Sequence, residues 1–316
     1  VARRSTRAPG KLEARRWTAP IIDALDRKIS DRVNRHLFRR DPKLLARLRP
    51  FAELLELYSS VDIRGWENLP QSGSFLLVAN HSGGAESNDV AAFHARWLAK
   101  RGTDSELYTL AYDALFVLPG LGTLLPRLGV VPASHENARK ALERGGAVLV
   151  FPGGDYEAFR PWRDRNRIDF GGRKGFVKLA IEAGVPVVPM TIHGAHESMF
   201  VLTRGTNLAR RLGLNRVHVK ILPLVLAVPV GISPFGLGAM RLPSKVTVQL
   251  GPPLDWSRYT AADAEDPEVL DRCYVEITGV MQSTLDSLHR EHPHPIRERL
   301  SELRPRKIVR RMLRRA

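Results

Sequence analysis

In the stretch NHSGGAESND, residues 80–89, one histidine, two carboxylic acids and a glycine pair fall within ten positions. A neutral imidazole removes a proton from a hydroxyl best when a carboxylate holds its other ring nitrogen. The acid selects the tautomer and raises the basicity of the free nitrogen. His81 with Glu86 or Asp89 is therefore a candidate general-base dyad. Glu86 follows after four intervening residues and Asp89 after seven. Gly83 and Gly84 give the loop unusual backbone angles and let a substrate approach closely. The same residues also suit a plainer role, since histidines in glycine-rich loops are often structural and Asp89 is placed to cap a helix.

Two further stretches carry chemistry. In VLVFPGGDYEAFRPW, residues 148–162, an apolar run ends in Phe151, Pro152, Gly153 and Gly154, with Glu157 and Arg160 just beyond. Backbone N–H groups of such a turn can face an anion or a developing oxyanion, although Pro-Gly also marks ordinary turns. In RDRNRIDFGGRKGFVKLA, residues 163–180, Arg163, Arg165, Arg167, Arg173 and Lys174 precede a helical pattern. Arginine grips phosphate through paired N–H bonds, so this is a candidate anion pocket. A solvated basic loop would have the same composition.

The elements that must position these groups alternate along the chain. Strand-like runs cover 74–79, 106–111, 147–152, 185–192, 217–222 and 245–250. Helix-like runs cover 88–101, 134–144, 173–183 and 262–290. Strand and helix in turn, with short links, predict an α/β domain with a mostly parallel sheet flanked by helices. The late strands have room to run antiparallel. His81 and the 151–154 turn then both fall just past strand carboxyl ends, where open α/β sheets collect their chemistry. Before this core, Ile21, Ile22, Leu25, Ile29, Val33 and Leu37 recur at helical spacing with basic residues between them. They predict an amphipathic helix over 18–39. A second helix, interrupted near Pro50, is expected over 43–58. This divides the chain into a basic N-terminal segment with a helical pair (1–60), a central domain (61–260) and C-terminal helices with a basic tail (261–316).

Charge and composition narrow the classes. The net charge is +16 over 316 residues. Residues 1–16 carry six Lys or Arg and one Glu, and residues 296–316 carry nine and two, so the ends hold +12 of it. Basic ends suit nucleic acid or anionic lipid, but no nucleic-acid-binding motif accompanies them. The single cysteine, Cys273, excludes an intramolecular disulfide and suits a reducing compartment. No Cys/His spacing suggests a metal. The opening VARRSTRAPGK lacks the apolar core of a secretory signal. Ten of the 49 basic residues are Lys, a balance compatible with a GC-rich bacterial source. The longest uncharged run, residues 221–240, is broken by Pro223, Pro229 and Pro234. It is expected to be an apolar loop that packs on the body or dips into a membrane surface.

NHSGG, FPGG about seventy residues later, Lys174-Gly175 before a helix, VPVVP at 185–189 and KVTVQLGPPLDW at 245–256 together resemble the glycerolipid (lysophospholipid) acyltransferase superfamily, in its NHSGG/FPGG form. The resemblance runs from about Gly65 to Asp255. It departs from the family at two points. The family places an aspartate where this chain has Glu86, and Asp89 lies further on. The arginine that usually follows the second motif's turn is missing, with Arg160 or Arg173 as substitutes.

The resemblance implies a single acyltransferase domain without metal or redox cofactor. His81, helped by Glu86 or Asp89, would deprotonate an acceptor hydroxyl. The oxygen would attack the thioester of acyl-CoA or an acyl carrier protein. Gly83, Gly84, Phe151, Pro152, Gly153, Gly154, Glu157, Arg160, Arg173 and Lys174 would contact substrate, and Arg127 in LPRLG would meet the phosphates of CoA. The acceptor would be a glycerolipid or lysophospholipid, or alternatively a mono- or diacylglycerol, a glycolipid or a long-chain alcohol. The protein would sit at the inner, anionic face of a membrane. A hydrolase is a rival reading, although GISPFG at 231–236 has the wrong spacing for a serine nucleophile elbow. A non-catalytic lipid-binding protein is another.

Overall fold

The computed structural model describes residues 37–82, 88–213, 220–227, 229–238, 240 and 242–303. A seven-stranded sheet forms its centre. The spatial order is β1 (Val61–Arg64), β10 (Val246–Leu250), β6 (Val187–His193), β2 (Phe75–Ala79), β5 (Ala147–Val150), β3 (Leu107–Ala111) and β4 (Val130–Pro132). The five strands from β6 to β4 are parallel. β10 runs antiparallel to β6, and β1 lies parallel to β10 at the edge. The predicted α/β architecture with a mostly parallel sheet is therefore present, its late strand reversed.

β2 explains the unbroken apolar run before His81. Leu76 and Val78 face one apolar layer, and Phe75, Leu77 and Ala79 face the other. A central parallel strand is covered on both sides, so its side chains have no reason to alternate in polarity. Helix α2 (Asn88–Arg101) covers one face with Ala92, Phe93 and Trp97. Helices α5 (His135–Glu143), α7 (Gly175–Ala183) and α9 (Pro267–Glu291) cover the other. α9 buries Val269, Cys273, Ile277, Met281, Leu285 and Leu288, one per turn. It starts where Asp266 accepts from Glu268 N–H and Pro267 needs no donor. Four short helices complete the set: α3 (Ala114–Val117), α4 (Leu121–Arg127), α6 (Gly154–Ala158) and α8 (Thr206–Arg211), with α10 (Pro295–Glu302) at the C-terminal end.

Helix α1 (Pro42–Ser59) begins with Asp41 capping Leu44 N–H and runs through Pro50 without the expected interruption. The helix predicted over 18–39 lies, up to residue 36, outside the described residues.

A second correction concerns the apolar stretch 221–240. It is a β-hairpin rather than a loop: β8 (Leu224–Ala227) and β9 (Gly231–Pro234) pair antiparallel, and β7 (Phe200–Thr203) joins β8 on its other side. Of the strand expected at 217–222, residues 217–219 lie outside the described residues and 220–222 are irregular; the described strand begins at Leu224. The prolines misled because they sit where a hairpin tolerates them. Pro223 precedes β8, Pro229 lies in the turn and Pro234 ends the edge strand. The small sheet packs Val201 and Val225 against Ala158, Phe159, Met199 and Ile221. Among the described residues no helix is long and apolar enough to cross a membrane.

Candidate active site

β5, β2 and β6 are neighbours, so their carboxyl ends gather Phe151, His81 and His193 at one edge of the sheet. The chain leaves β2 through Asn80, whose side chain is fully buried. Its amide donates to Ile192 C=O at 2.9 Å and accepts from Ile192 N–H at 2.7 Å. This pair of bonds imitates one more rung of the sheet and fixes the direction in which the backbone turns toward His81. The sequence reading overlooked Asn80. Its signal was an amide at the end of an otherwise apolar run, where an unpaired polar group would be costly.

His81 is held by its own peptide groups. Its N–H donates to Glu157 Oε2 at 2.8 Å, and its C=O accepts from Arg160 Nη1 at 3.0 Å. Glu157 and Arg160 pair with each other at 3.1 Å, and both side chains are buried. They sit three positions apart, where α6 and the turn after it bring them together. Burial pushes the Glu157 carboxyl up to about 7, against the pull of Arg160 and the His81 N–H. Burial also lowers the Arg160 guanidinium. Two ions taken out of water cost several kcal/mol each unless they meet each other and further partners. Here the further partners are the two ends of His81. The ring of His81 lies 4.9 Å from that of Phe151, tilted by 43°.

Glu157 and Arg160 were expected to face substrate. The structure places them beneath His81, out of contact with solvent, as a clamp on its backbone. The turn makes room for them. A Cβ on Gly153 would stand 2.4 Å from Glu157 Cβ and 2.5 Å from its Oε2, so the space belongs to the Glu157 side chain. Gly154 has a φ of +47° and donates its N–H to Phe151 C=O at 3.0 Å, closing the turn. That N–H is spent and does not point at an oxyanion. Pro152 and Gly153 are buried, and Gly154 is partly exposed.

The remaining cations are mostly engaged. Arg173 donates to the carbonyls of Pro152 and Gly153 and to Asp155 at 2.9 Å. Lys174 pairs with Asp271 on α9 at 2.5 Å. Arg165 lies over the Trp162 ring and 3.5 Å from Glu197. Arg163 and Arg167 are exposed. Arg127 stands with Arg39, Arg40 and Lys43 around a surface pocket and pairs with Asp41 at 2.6 Å. It ends α4 beside edge strand β4, three strand spacings from β2 or roughly 14 Å, so the fold does not bring it to His81.

Gly83, Gly84 and Glu86 lie outside the described residues. Asp89 is the second residue of α2, and its side chain likewise lies outside the described part of the structure. The choice of acid partner for His81 therefore stays between Glu86 and Asp89.

A polar layer lies behind the clamp. His196 Nε2 meets Arg160 C=O at 2.9 Å, and burial with the nearby Arg160 keeps its pKa well below the ordinary value. His193 is buried at the end of β6 beside His289, its pKa lowered to about 4 by burial and by the neighbouring histidines. Both histidines stay neutral near pH 7, so neither places a second positive charge beside Arg160. The arrangement thus leaves the His81 imidazole at the end of β2, held by the backbone on both sides of its own Cα.

The family model described as Acyltransferase matches residues 60–193. An uncharacterized protein of Mycobacterium tuberculosis is 34% identical over 229 residues, covering 71% of this chain. The chain spans 60% of the length of that relative. A protein of Gallus gallus named "DGAT1/2-independent enzyme synthesizing storage lipids" is 32% identical over 169 residues, covering 53% of this chain and 48% of its own length. The crystal structure of the 1-acyl-sn-glycerophosphate (LPA) acyltransferase PlsC from Thermotoga maritima superimposes with a TM-score of 0.48 at 19% identity, covering 82% of this chain and 88% of that one.

Proposed function

We propose a function from one premise: this chain belongs to the acyltransferase family, whose model its residues 60–193 match. It moves a fatty acyl group from a thioester, acyl-CoA or an acyl carrier protein, to a hydroxyl of a glycerolipid or lysophospholipid. The observation that carries this reading is His81 at the carboxyl end of the central β2, both its peptide groups gripped by Glu157 and Arg160 from the FPGG segment. The two motifs of the family resemblance meet there in space.

His81 takes the proton of the acceptor hydroxyl. The oxygen attacks the thioester carbonyl, the C–S bond breaks, and the proton leaves with the thiol. The acid that orients the ring is Glu86 or Asp89. No covalent acyl-enzyme, metal or redox cofactor takes part. Glu157, Arg160 and Asn80 act by position: they hold the imidazole where a reacting hydroxyl must come within hydrogen-bond reach. The acceptor resides in a membrane, and the enzyme works as a peripheral protein on its inner, anionic face.

One observation favours a neutral acceptor as a second reading. Near the turn, Arg160 is buried and committed to His81, and Arg173 is committed to two carbonyls and Asp155. Arg160 is withheld from a phosphate by burial, and Arg173 is already shared among protein acceptors. The name of the Gallus gallus relative, which refers to storage lipids, agrees with a mono- or diacylglycerol acceptor.

The test is thiol release from long-chain acyl-CoA with a panel of lipid acceptors, using the protein as it stands and a His81→Ala variant. Release that requires an acceptor and vanishes in the variant supports acyl transfer. Release that needs no acceptor means hydrolysis. A preference for diacylglycerol over lysophosphatidic acid selects the neutral reading.

A further inference from the structure

From Ser198 to Leu254 the chain has no Asp or Glu and seven Lys or Arg. The small sheet lies within this acid-free segment. On its inner face Val201, Val225 and Ser233 stand opposite one another, all buried. On its outer face Leu226 and Ile232 are register partners, and they are 47% and 64% exposed. Just beyond the strands, Val230 and Leu237 are 60% and 69% exposed. A solvated sheet face carries polar side chains between its buried ones. This one carries Leu and Ile, both open to solvent, beside Phe200, on which Trp162 stacks. A contiguous exposed apolar surface with a polar or charged surround marks an interaction site.

We propose that this outer face of the β7–β8–β9 sheet is the surface by which the protein docks on an anionic lipid bilayer. Leu226, Ile232, Val230 and Leu237 enter the boundary of the acyl chains. The basic side chains of the same segment, Arg210, Arg211 and Lys220 among them, meet lipid phosphates. The charge pattern argues against a second copy of this chain as the occupant, because a segment with basic residues and no acid offers nothing that would pair with the same segment of another copy. The inference rests on the reading that the acceptor is a lipid, and it gives that reading a geometry. The sheet is fastened to the helix that positions His81. Val201 and Val225 pack on Phe159, Phe235 meets Phe159 edge-on at 5.7 Å, and Phe200 stacks on Trp162 at 5.1 Å. Arg204 donates to Tyr156 C=O within α6 at 2.9 Å. A bilayer under the small sheet is therefore held at a set distance from the FPGG turn.

The full chain is labelled with an environment-sensitive fluorophore through Ile232→Cys, Cys273 being buried. A control carries Arg139→Cys, an exposed position on α5, which takes no part in the small sheet or its core. The expected result is a blue shift at 232 with phosphatidylglycerol-containing vesicles, weaker with pure phosphatidylcholine and weaker in high salt, and none at 139. Flotation with vesicles without a shift at 232 would overturn the proposal, since another surface would then be docking. A shift that grows with protein concentration in the absence of lipid would also overturn it, in favour of self-association. A Leu226→Glu/Ile232→Glu variant should turn over acceptor in vesicles at least tenfold more slowly, yet match the parent on acceptor dispersed in detergent micelles. An equal loss in both assays counts against docking. The fluorescence readout needs no turnover, so failure of the acyl-transfer reading leaves it standing as a separate result.

Discussion

At the residue scale, the central feature is a charge pair used to place a neutral ring. Glu157 and Arg160 are buried 3.1 Å apart, and each reaches one end of the His81 peptide. Glu157→Gln keeps the shape but strands the Arg160 guanidinium in a dry site. The cost expected in denaturant unfolding is about 3–5 kcal/mol, the range for breaking one side of a buried pair. If the clamp also sets the imidazole, kcat falls by roughly a hundredfold while KM for the thioester changes little, as expected for misplaced catalytic groups. A variant as stable as the parent would show that the pair is not coupled to His81. Gly153→Ala tests the same space from the other side. The new methyl group would overlap Glu157, and the expected cost is about 1–3 kcal/mol from overpacking with a parallel loss of turnover. The double change Gly153→Glu with Glu157→Ala should recover part of both losses if the carboxylate matters by where it lies rather than by which residue carries it. A double-mutant cycle reads that recovery directly.

At the element scale, α9 is the longest helix described and links the core to the site. Ile277 is fully buried in it, so Ile277→Ala should cost about 2–5 kcal/mol in equilibrium unfolding. Gln282 on the same helix accepts from Ile168 N–H at 2.8 Å and donates to Asn166 C=O at 3.0 Å. These bonds shape the arginine-containing loop that follows the clamp. Gln282→Ala should therefore leave the thermal midpoint of the core nearly unchanged and speed amide exchange across residues 163–170. Unchanged exchange there would mean the loop is held by its own turns, such as Arg167 N–H on Asp164 C=O. Lys174 and Asp271 add a second tie between this segment and α9, though a partly exposed pair of this kind is worth about 1 kcal/mol or less.

For the molecule as a whole, pH dependence follows from histidines that folding withdraws, wholly or in part, from water. His94 bonds Thr109 at 2.8 Å, and burial with the charge of Arg40 lowers its pKa to about 4. His193 is lowered to about 4 as well. In the unfolded chain these rings titrate near 6.5, so between about 6.5 and 4 the unfolded state binds more protons. Their contribution is fully present above pH 6.5 and is lost as pH falls toward 4, to roughly 2 kcal/mol per ring by pH 5. Glu157 acts in the opposite sense. Its raised pKa lets the folded state keep a proton between about 4.5 and 7, which lowers stability as pH rises through that window. Chemical denaturation of the parent and of His94→Asn at about pH 5 and pH 7.5 separates the two. The variant should show a smaller loss on acidification, and an equal loss would remove His94 from the account.

The strong local signals carried the sheet order's raw material. FLLVA at 75–79 is a strand because a central parallel strand is apolar on both faces, VTVQL at 246–250 because Val246, Val248 and Leu250 alternate onto one buried face, and amphipathic α5 and α9 show their helical period in the same direct way. His81 and the FPGG turn were readable for a similar reason, since each interrupts an apolar run with residues that have no use in a core. What the sequence could not decide was everything set by packing across distance. Glu157 and Arg160 look like exposed, substrate-facing groups in a list of residues, and only the approach of α6 to the end of β2 buries them beneath His81. Asn80 looks incidental until β6 lies alongside. The prolines of 221–240 look like breakers until the turn and strand ends fall on them. Periodicity reports how a segment meets its surroundings, whereas partners separated by 76 positions, such as His81 and Glu157, exist only once the chain has closed on itself.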